Sequence, residues 1–367
     1  MKVPFKSTLR ILCFGAAHAL FACSSGNDGG GGGFVAPNIS TQPVAITQDN
    51  EAVVAQAAFE GTSGGFGLGS GAPGILGAVS VAEGGNIESE FSIYNTLRQL
   101  LNNATEKRLQ NTGTISVTGI QDSATASCAI QDPETGEVIA GSGSEQFQFN
   151  IANFDTQNGQ PISFTSGDYV SNTFNNCDYG DGVIQNGTIS ITFNSNVSLA
   201  DMDAENFSLD VTFSFNNYST SSADAIVPDT EVLHGTTNLD ISVSGSAVDF
   251  DMSGTSFYAV SPEESVKLTN FSFSASTDGI NSSVRATFTI ASTTLDGQIT
   301  VNSQFASNGA DPTAGSMTIT GDNSQMVVTV ISANSLSVTL TVNGVVEGGY
   351  PKDVTWNELG IEVNNAF

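Results

Sequence analysis

One histidine, two acidic clusters and two cysteines are the residues of this chain whose types and spacing invite chemistry. His234, in Val232-Leu233-His234-Gly235, is the only histidine beyond the first 22 residues, so a catalytic triad or a histidine metal site would have to use it. No Gly-x-Ser-x-Gly elbow set between a strand and a helix accompanies it, and it reads as a surface histidine where a strand meets a turn. Asp178 and Asp181 follow Cys177 in a glycine-containing stretch, and Asp201, Asp203 and Glu205 place carboxylates on alternate positions, a spacing able to aim oxygens at one hard cation such as calcium. The second cluster fails as an EF-hand loop, because Asn206 stands where glycine is needed and Thr212 where the bidentate glutamate belongs. Solvated loop acids explain both clusters without a metal, and calcium is the one cofactor they leave open. Paired carboxylates for glycoside hydrolysis are not selected by any spacing among the 37 acids.

Export sets the context for these residues. Residues 1–10 carry Lys2, Lys6 and Arg10 without an acid, and residues 11–22 form an apolar core too short to span a bilayer permanently. The segment ends Leu20-Phe21-Ala22-Cys23, which resembles the lipobox of bacterial lipoproteins, with Phe21 in place of the usual small residue. That resemblance implies removal of residues 1–22, lipid attachment at Cys23 and, with Ser24 following, residence in the outer membrane of a Gram-negative envelope. The competing expectation is cleavage after Ala17-His18-Ala19, which would release the chain unanchored. In an oxidising compartment Cys128 and Cys177, the cysteines left once Cys13 and Cys23 are assigned, read as a disulfide; redox or zinc use has no Cys-x-x-Cys spacing to support it.

Without its first 22 residues the chain keeps six basic residues against 37 acidic ones. Nucleic acid is excluded as a partner, since binding it relies on basic patches. Partners are left as the membrane, through the lipid, and a protein, glycan or lipid of unassigned identity.

The elements that must position these residues follow from pattern. Residues 23–45 read as lipidated cysteine and flexible tether, with five consecutive glycines at 29–33. A short helix is expected over 46–59, capped by Thr47 or Asp49, then a loosely docked glycine-rich stretch to 86. A second helix is expected over 87–110, where Phe91, Tyr94, Leu97 and Leu101 recur at helical steps. From 111 to 367 the period falls to two, as in Phe207-Leu209-Val211-Phe213-Phe215, Leu239-Ile241-Val243 and Leu336-Val338-Leu340-Val342. Asn186-Gly187, Asp278-Gly279, Asp296-Gly297, Asn308-Gly309 and Asn343-Gly344 supply turn chemistry.

The closing stretch from Gly315 through Val354-Thr355-Trp356-Asn357-Glu358-Leu359 resembles a loose group of uncharacterised β-rich Gram-negative lipoproteins, a resemblance that carries no activity. The expected fold is mainly β: a long, twisted antiparallel meander forming a half-barrel or sandwich, with the 87–110 helix packed on its apolar face and the short 46–59 helix as the second. A packed interior implies a non-enzymatic lipoprotein with a binding or structural role. An open interior implies a carrier of a lipid or other apolar ligand. A membrane-spanning barrel is disfavoured on the expectation that most strands fall short of the roughly 9–11 residues a span needs.

Overall fold

Strict alternation gives each strand one apolar edge, and only pairing with a neighbour of the same parity lets those edges merge into a single buried face. The computed structural model describes residues 34–64, 120–128, 142–155, 160–178, 183–198, 200–201, 206–222, 230–308 and 312–361, all within one compact unit, Phe34–Phe367. It opens with helix α1 (Glu51–Gly64) and strands β1 (Ile120–Ser127), β2 (Ser142–Ile151), β3 (Asn153–Asp155), β4 (Gln160–Phe164), β5 (Tyr169–Asp178), β6 (Val183–Phe193) and β7 (Val197–Ser198). Then come β8 (Asn206–Ser222), β9 (Glu231–Ser244), β10 (Ala247–Val260), β11 (Ser265–Thr277), β12 (Ser282–Ser292) and β13 (Gly297–Ser307). The chain closes with β14 (Pro312–Gly321), β15 (Ser324–Ser332), β16 (Ser335–Val342), β17 (Val345–Val346), β18 (Lys352–Val354) and a 3-10 turn, Asn357–Leu359.

Fifteen strands form one antiparallel sheet in the order β1-β2-β5-β6-β8 to β17, with β18 beside β16; β3, β4 and β7 make a small second sheet. Among the described residues no pairing joins β1 to β17, so the meander is open rather than a closed barrel. One row across it reads Val211, Leu239, Met252, Phe273, Ala286, Ser303, Met317, Val328 and Val338, buried throughout. The adjacent row on the other face reads Thr192, Thr212, Asn238, Ser253, Ser272, Thr287, Asn302 and Thr318. A lipid-facing barrel needs the opposite arrangement, apolar outside and polar within. The length expectation behind that exclusion is corrected, because β8 has 17 residues and β9 and β10 have 14 each. Strand length would permit a span, whereas the polarity of the faces speaks against one.

Asn186-Gly187, expected as a hairpin turn, lies inside β6 instead. Gly187 has φ +86°, and a Cβ there would fall 2.0 Å from Asn217 O, so only glycine fits. The register slips beside it on both sides, while Asn176 of β5 and Asn217 of β8 also take positive φ. Further slips follow at β9/β10 and β11/β12. Bulges in neighbouring strands add local twist and bend. Of the other turn assignments, Asp278-Gly279 and Asn343-Gly344 fall between strands, Asp296 leads directly into Gly297, the first residue of β13, and Gly309 of Asn308-Gly309 lies outside the described residues.

Among the described residues, the helix on the apolar face is α1. It begins later and ends later than its sequence pattern suggested, so Gly61 and Gly64 belong to the helix rather than to a loop. Asn50 stands at its start in place of the expected Thr47 or Asp49, its Oδ1 accepting the Thr47 N–H (2.8 Å) and its Nδ2 donating to Ala45 O (3.0 Å). Gly61 permits close approach, since a Cβ would lie 2.6 Å from the Phe288 ring, and Thr62 Oγ1 meets Ser303 Oγ at 3.2 Å. At the other end Glu51 takes hydrogen bonds from Tyr350 Oη and Lys352 Nζ, tying the helix N-terminus to the C-terminal strands. Burial and that contact with Glu51 hold the Tyr350 phenol well above the usual tyrosine range. The expected helix over 87–110 lies outside the described residues.

Residues 34–45, assigned above to the tether, run along the domain: Val44 N–H donates to Gln298 O (3.0 Å) and Gln298 N–H to Gln42 O (2.9 Å). At the C-terminal end, Thr355 and Glu358 form a reciprocal capping box around the 3-10 turn, Glu358 Oε2 accepting the Thr355 N–H at 2.7 Å and Thr355 Oγ1 the Glu358 N–H at 3.3 Å. Those bonds to its ionised form hold the Glu358 carboxyl below its ordinary value.

Candidate functional site

His234 is the fourth residue of β9, inside the strand rather than at its edge. The bulge between Ser253 and Phe257 reverses side-chain parity on β10, which brings Tyr258 opposite His234 on the outer face while Leu233 and Phe257 stay buried. Tyr258 is opposite Lys267 on β11, so His234, Tyr258 and Lys267 form one cross-strand row. Phe34 lies over the row, stacked on the imidazole with centroids 4.0 Å apart and planes within 7°, and 5.2 Å from the Tyr258 ring. Lys267 Nζ sits 5.3 Å from the centre of the Tyr258 ring, a cation–π distance.

His234 Nδ1 accepts the Asn217 N–H at 3.4 Å, which fits the neutral ring with its proton on Nε2. Partial desolvation lowers its pKa in the same sense. Among the described residues Phe34 and Tyr258 meet the imidazole and the Asn217 N–H its Nδ1, an arrangement suited to stacking and binding. The string Gly61-Thr62-Ser63-Gly64-Gly65 spells a nucleophile-elbow pattern, but Gly61 to Gly64 form the last turn of α1, without the strand-to-helix bend that exposes such a serine.

The row escaped sequence reasoning because Phe34 sits in what reads as tether. The available signal was the adjacent pair Phe257-Tyr258, which breaks strict alternation and so marks a bulge with an aromatic residue on each face.

Of the proposed metal ligands, Asp178 ends β5 and Asp201 lies in a short helical turn; Asp181, Asp203 and Glu205 lie outside the described residues. Among the described residues no group of three or more His, Cys, Asp or Glu side chains is arranged to hold a metal. The acids that do come together were not anticipated: Asp210, Asp240 and Asp251 stand directly opposite one another on β8, β9 and β10. Two are partnered, Asp210 by Asn194 Nδ2 (2.8 Å) and Asp251 by the Ser274 hydroxyl. Burial first, then the charges of Asp210 and Asp251, raise the Asp240 carboxyl above its ordinary value.

A carboxyl whose pKa is raised on folding binds its proton more tightly in the native state. Its contribution to stability is therefore largest in acid and is lost as pH rises from the ordinary carboxylate value through the raised one. Asp240→Asn is accordingly expected to raise the thermal midpoint at about pH 7 and to give almost no gain at about pH 3, with the gain shrinking in high salt. Melts of both proteins at the two pH values check this, and an equal shift at both would count against it.

Among the described residues the inner face carries small buried polar residues, Thr237, Ser292, Ser303, Ser307 and Ser324, and one pair that includes a carboxylate. Glu145 and Asn172, 1% and 2% exposed, face inward from β2 and β5, with Asn172 Nδ2 donating to Glu145 Oε2 at 3.2 Å. Close by, Cys128 and Cys177 are joined by a disulfide, Cα atoms 5.4 Å apart and both residues fully buried. Strand β2 lies between β1 and β5, and its residue at that point is Gly143, whose carbonyl accepts the Cys128 N–H at 3.4 Å. The signal segment and Cys23 lie outside the described residues, and among those described no helix is long and apolar enough to cross a membrane.

No family model, curated protein or solved structure matches the chain.

Proposed function

We propose that the chain is an exported lipoprotein, anchored through Cys23 to the envelope membrane, by its lipobox and Ser24 the outer membrane of a Gram-negative cell, and that it has a non-enzymatic binding or structural role. The observation that carries the role is the polarity of the sheet. Its apolar face is filled by the protein's own side chains, with Phe147, Phe273, Phe288 and Phe305 all 1% exposed or less, which leaves the hydroxyl, amide and carboxylate face and the loops to meet a partner. The buried disulfide supports an address outside the reducing cytoplasm.

Cys23→Ser is expected to move the protein from the membrane pellet to the unsedimented fraction and to abolish incorporation of radiolabelled palmitate. A variant that stays membrane-bound and labelled would overturn the anchor. The carrier reading asks for an unfilled apolar cavity, and the packing of the inner face weighs against it. Native mass spectrometry of the Cys23→Ser protein separates the two: a clean mass is expected, and a retained apolar adduct released only on denaturation would reverse the preference.

A further inference from the structure

We propose that the outer-face row of Phe34, His234, Tyr258 and Lys267 is a bilayer-contact surface, which seats this end of the sheet in the headgroup region of the membrane that holds the lipid anchor. The proposal rests on lipidation at Cys23. Its first ground is composition. Farther along the same strands the outer face is Thr212, Asn238, Ser253 and Ser272, whereas at this end the next row outward pairs Val232 with Val260, half-buried on the same face as Tyr258. Aromatic rings with a polar edge, flanked by aliphatic side chains and a lysine whose ammonium sits over a ring, are the side chains that partition to a membrane interface. Lys267 is one of only six basic residues beyond the first 22, and it stands in this row.

The second ground is chain length. Phe34 is packed on His234 and lies eleven positions after Cys23, with ten residues between them. A glycine-rich segment of that length has a typical span of about 17–20 Å and a limit of about 40 Å. The anchor thus keeps the row within reach of the bilayer surface, while the opposite end of β11, at Thr277, lies ten residues from Lys267, about 33 Å along the strand. Glu231, Glu263 and Glu264 lie at the same end of the sheet, so the surface is not a polybasic one and suits zwitterionic rather than anionic headgroups.

The test uses the lipidated full chain in phosphatidylcholine vesicles with brominated or unbrominated acyl chains, bromine being a short-range quencher of indole fluorescence. The native Trp356 is 4% exposed and gives the baseline. Tyr258→Trp adds an emitter in the row, and Ile280→Trp adds one at a 76% exposed position in the turn at the far end of β11. The emission added at 258 is expected to fall by roughly twofold in brominated vesicles, with that added at 280 unchanged. Val260→Trp repeats the measurement if Tyr258→Trp lowers the thermal midpoint. Flotation with equal quenching at both ends, or with none at either, would overturn the contact while leaving the anchor intact; failure to float with the vesicles would overturn both.

Discussion

Replacing Cys128 and Cys177 together by alanine should lower the stability of the domain by about 4 kcal/mol, the chain-entropy value for a loop of 49 residues. For a chain of this size that corresponds to a fall of about 6 °C in thermal midpoint. The residues concerned are fully buried, and Phe174, Ile189 and Tyr218 pack around them, so the variant also loses sulfur contacts that alanine does not replace. The loss should be concentrated where the bridge acts. It ties β1, an outer strand of the described sheet, to β5 across β2, so hydrogen exchange in β1 and β2 is expected to accelerate more than in β12 to β15. Calorimetry of the oxidised protein and the double variant measures the first effect, and exchange mass spectrometry the second. An unchanged midpoint would mean that the bridge constrains nothing the sheet does not already hold.

Trp356→Ala is expected to cost a further large increment, about 3–5 kcal/mol, by opening a cavity beneath α1. The indole packs 5.4 Å from the Phe59 ring of α1 and 6.3 Å from Phe305 of β13, and its N–H donates to Ala333 O at 2.9 Å. Helix, sheet and C-terminal turn therefore meet on one side chain. Trp356→Phe keeps most of the ring packing and loses the hydrogen bond, so it should cost about 1–2 kcal/mol, well short of the alanine variant. Urea denaturation of the three proteins orders them. Alanine and phenylalanine variants of equal stability would assign the role of Trp356 to its hydrogen bond alone.

Both results depend on partners far apart in the chain, and this marks where sequence reading stopped. Alternation identified strands such as 239–243 and 336–342 with the right parity, because an edge of Leu, Ile and Val has one low-energy destination. It failed at bulges, where one extra residue inverts parity. Gly187 therefore passed for a turn residue, and Tyr258, which breaks the pattern, went unremarked. The α1 boundaries were missed for a related reason. Gly61 and Gly64 argue against a helix by propensity, yet Gly61 is the residue that lets the helix lie close on Phe288. The acidic ladder was invisible because Asp210, Asp240 and Asp251 are spaced along the chain by hairpin lengths and not by any motif.

The sequence by itself determined the acidic charge, the candidate signal and lipidation site, the pool of two cysteines and the one-faced character of most strands, because each of these is a local property of residue type and period. Tertiary structure alone decided that α1 lies on the apolar face, that the face is filled by the protein's own side chains, and that Phe34 stacks on a histidine 200 residues away. Those outcomes depend on register and on the bulges that set it. Register is a property of strand pairs, and no single stretch of chain encodes it.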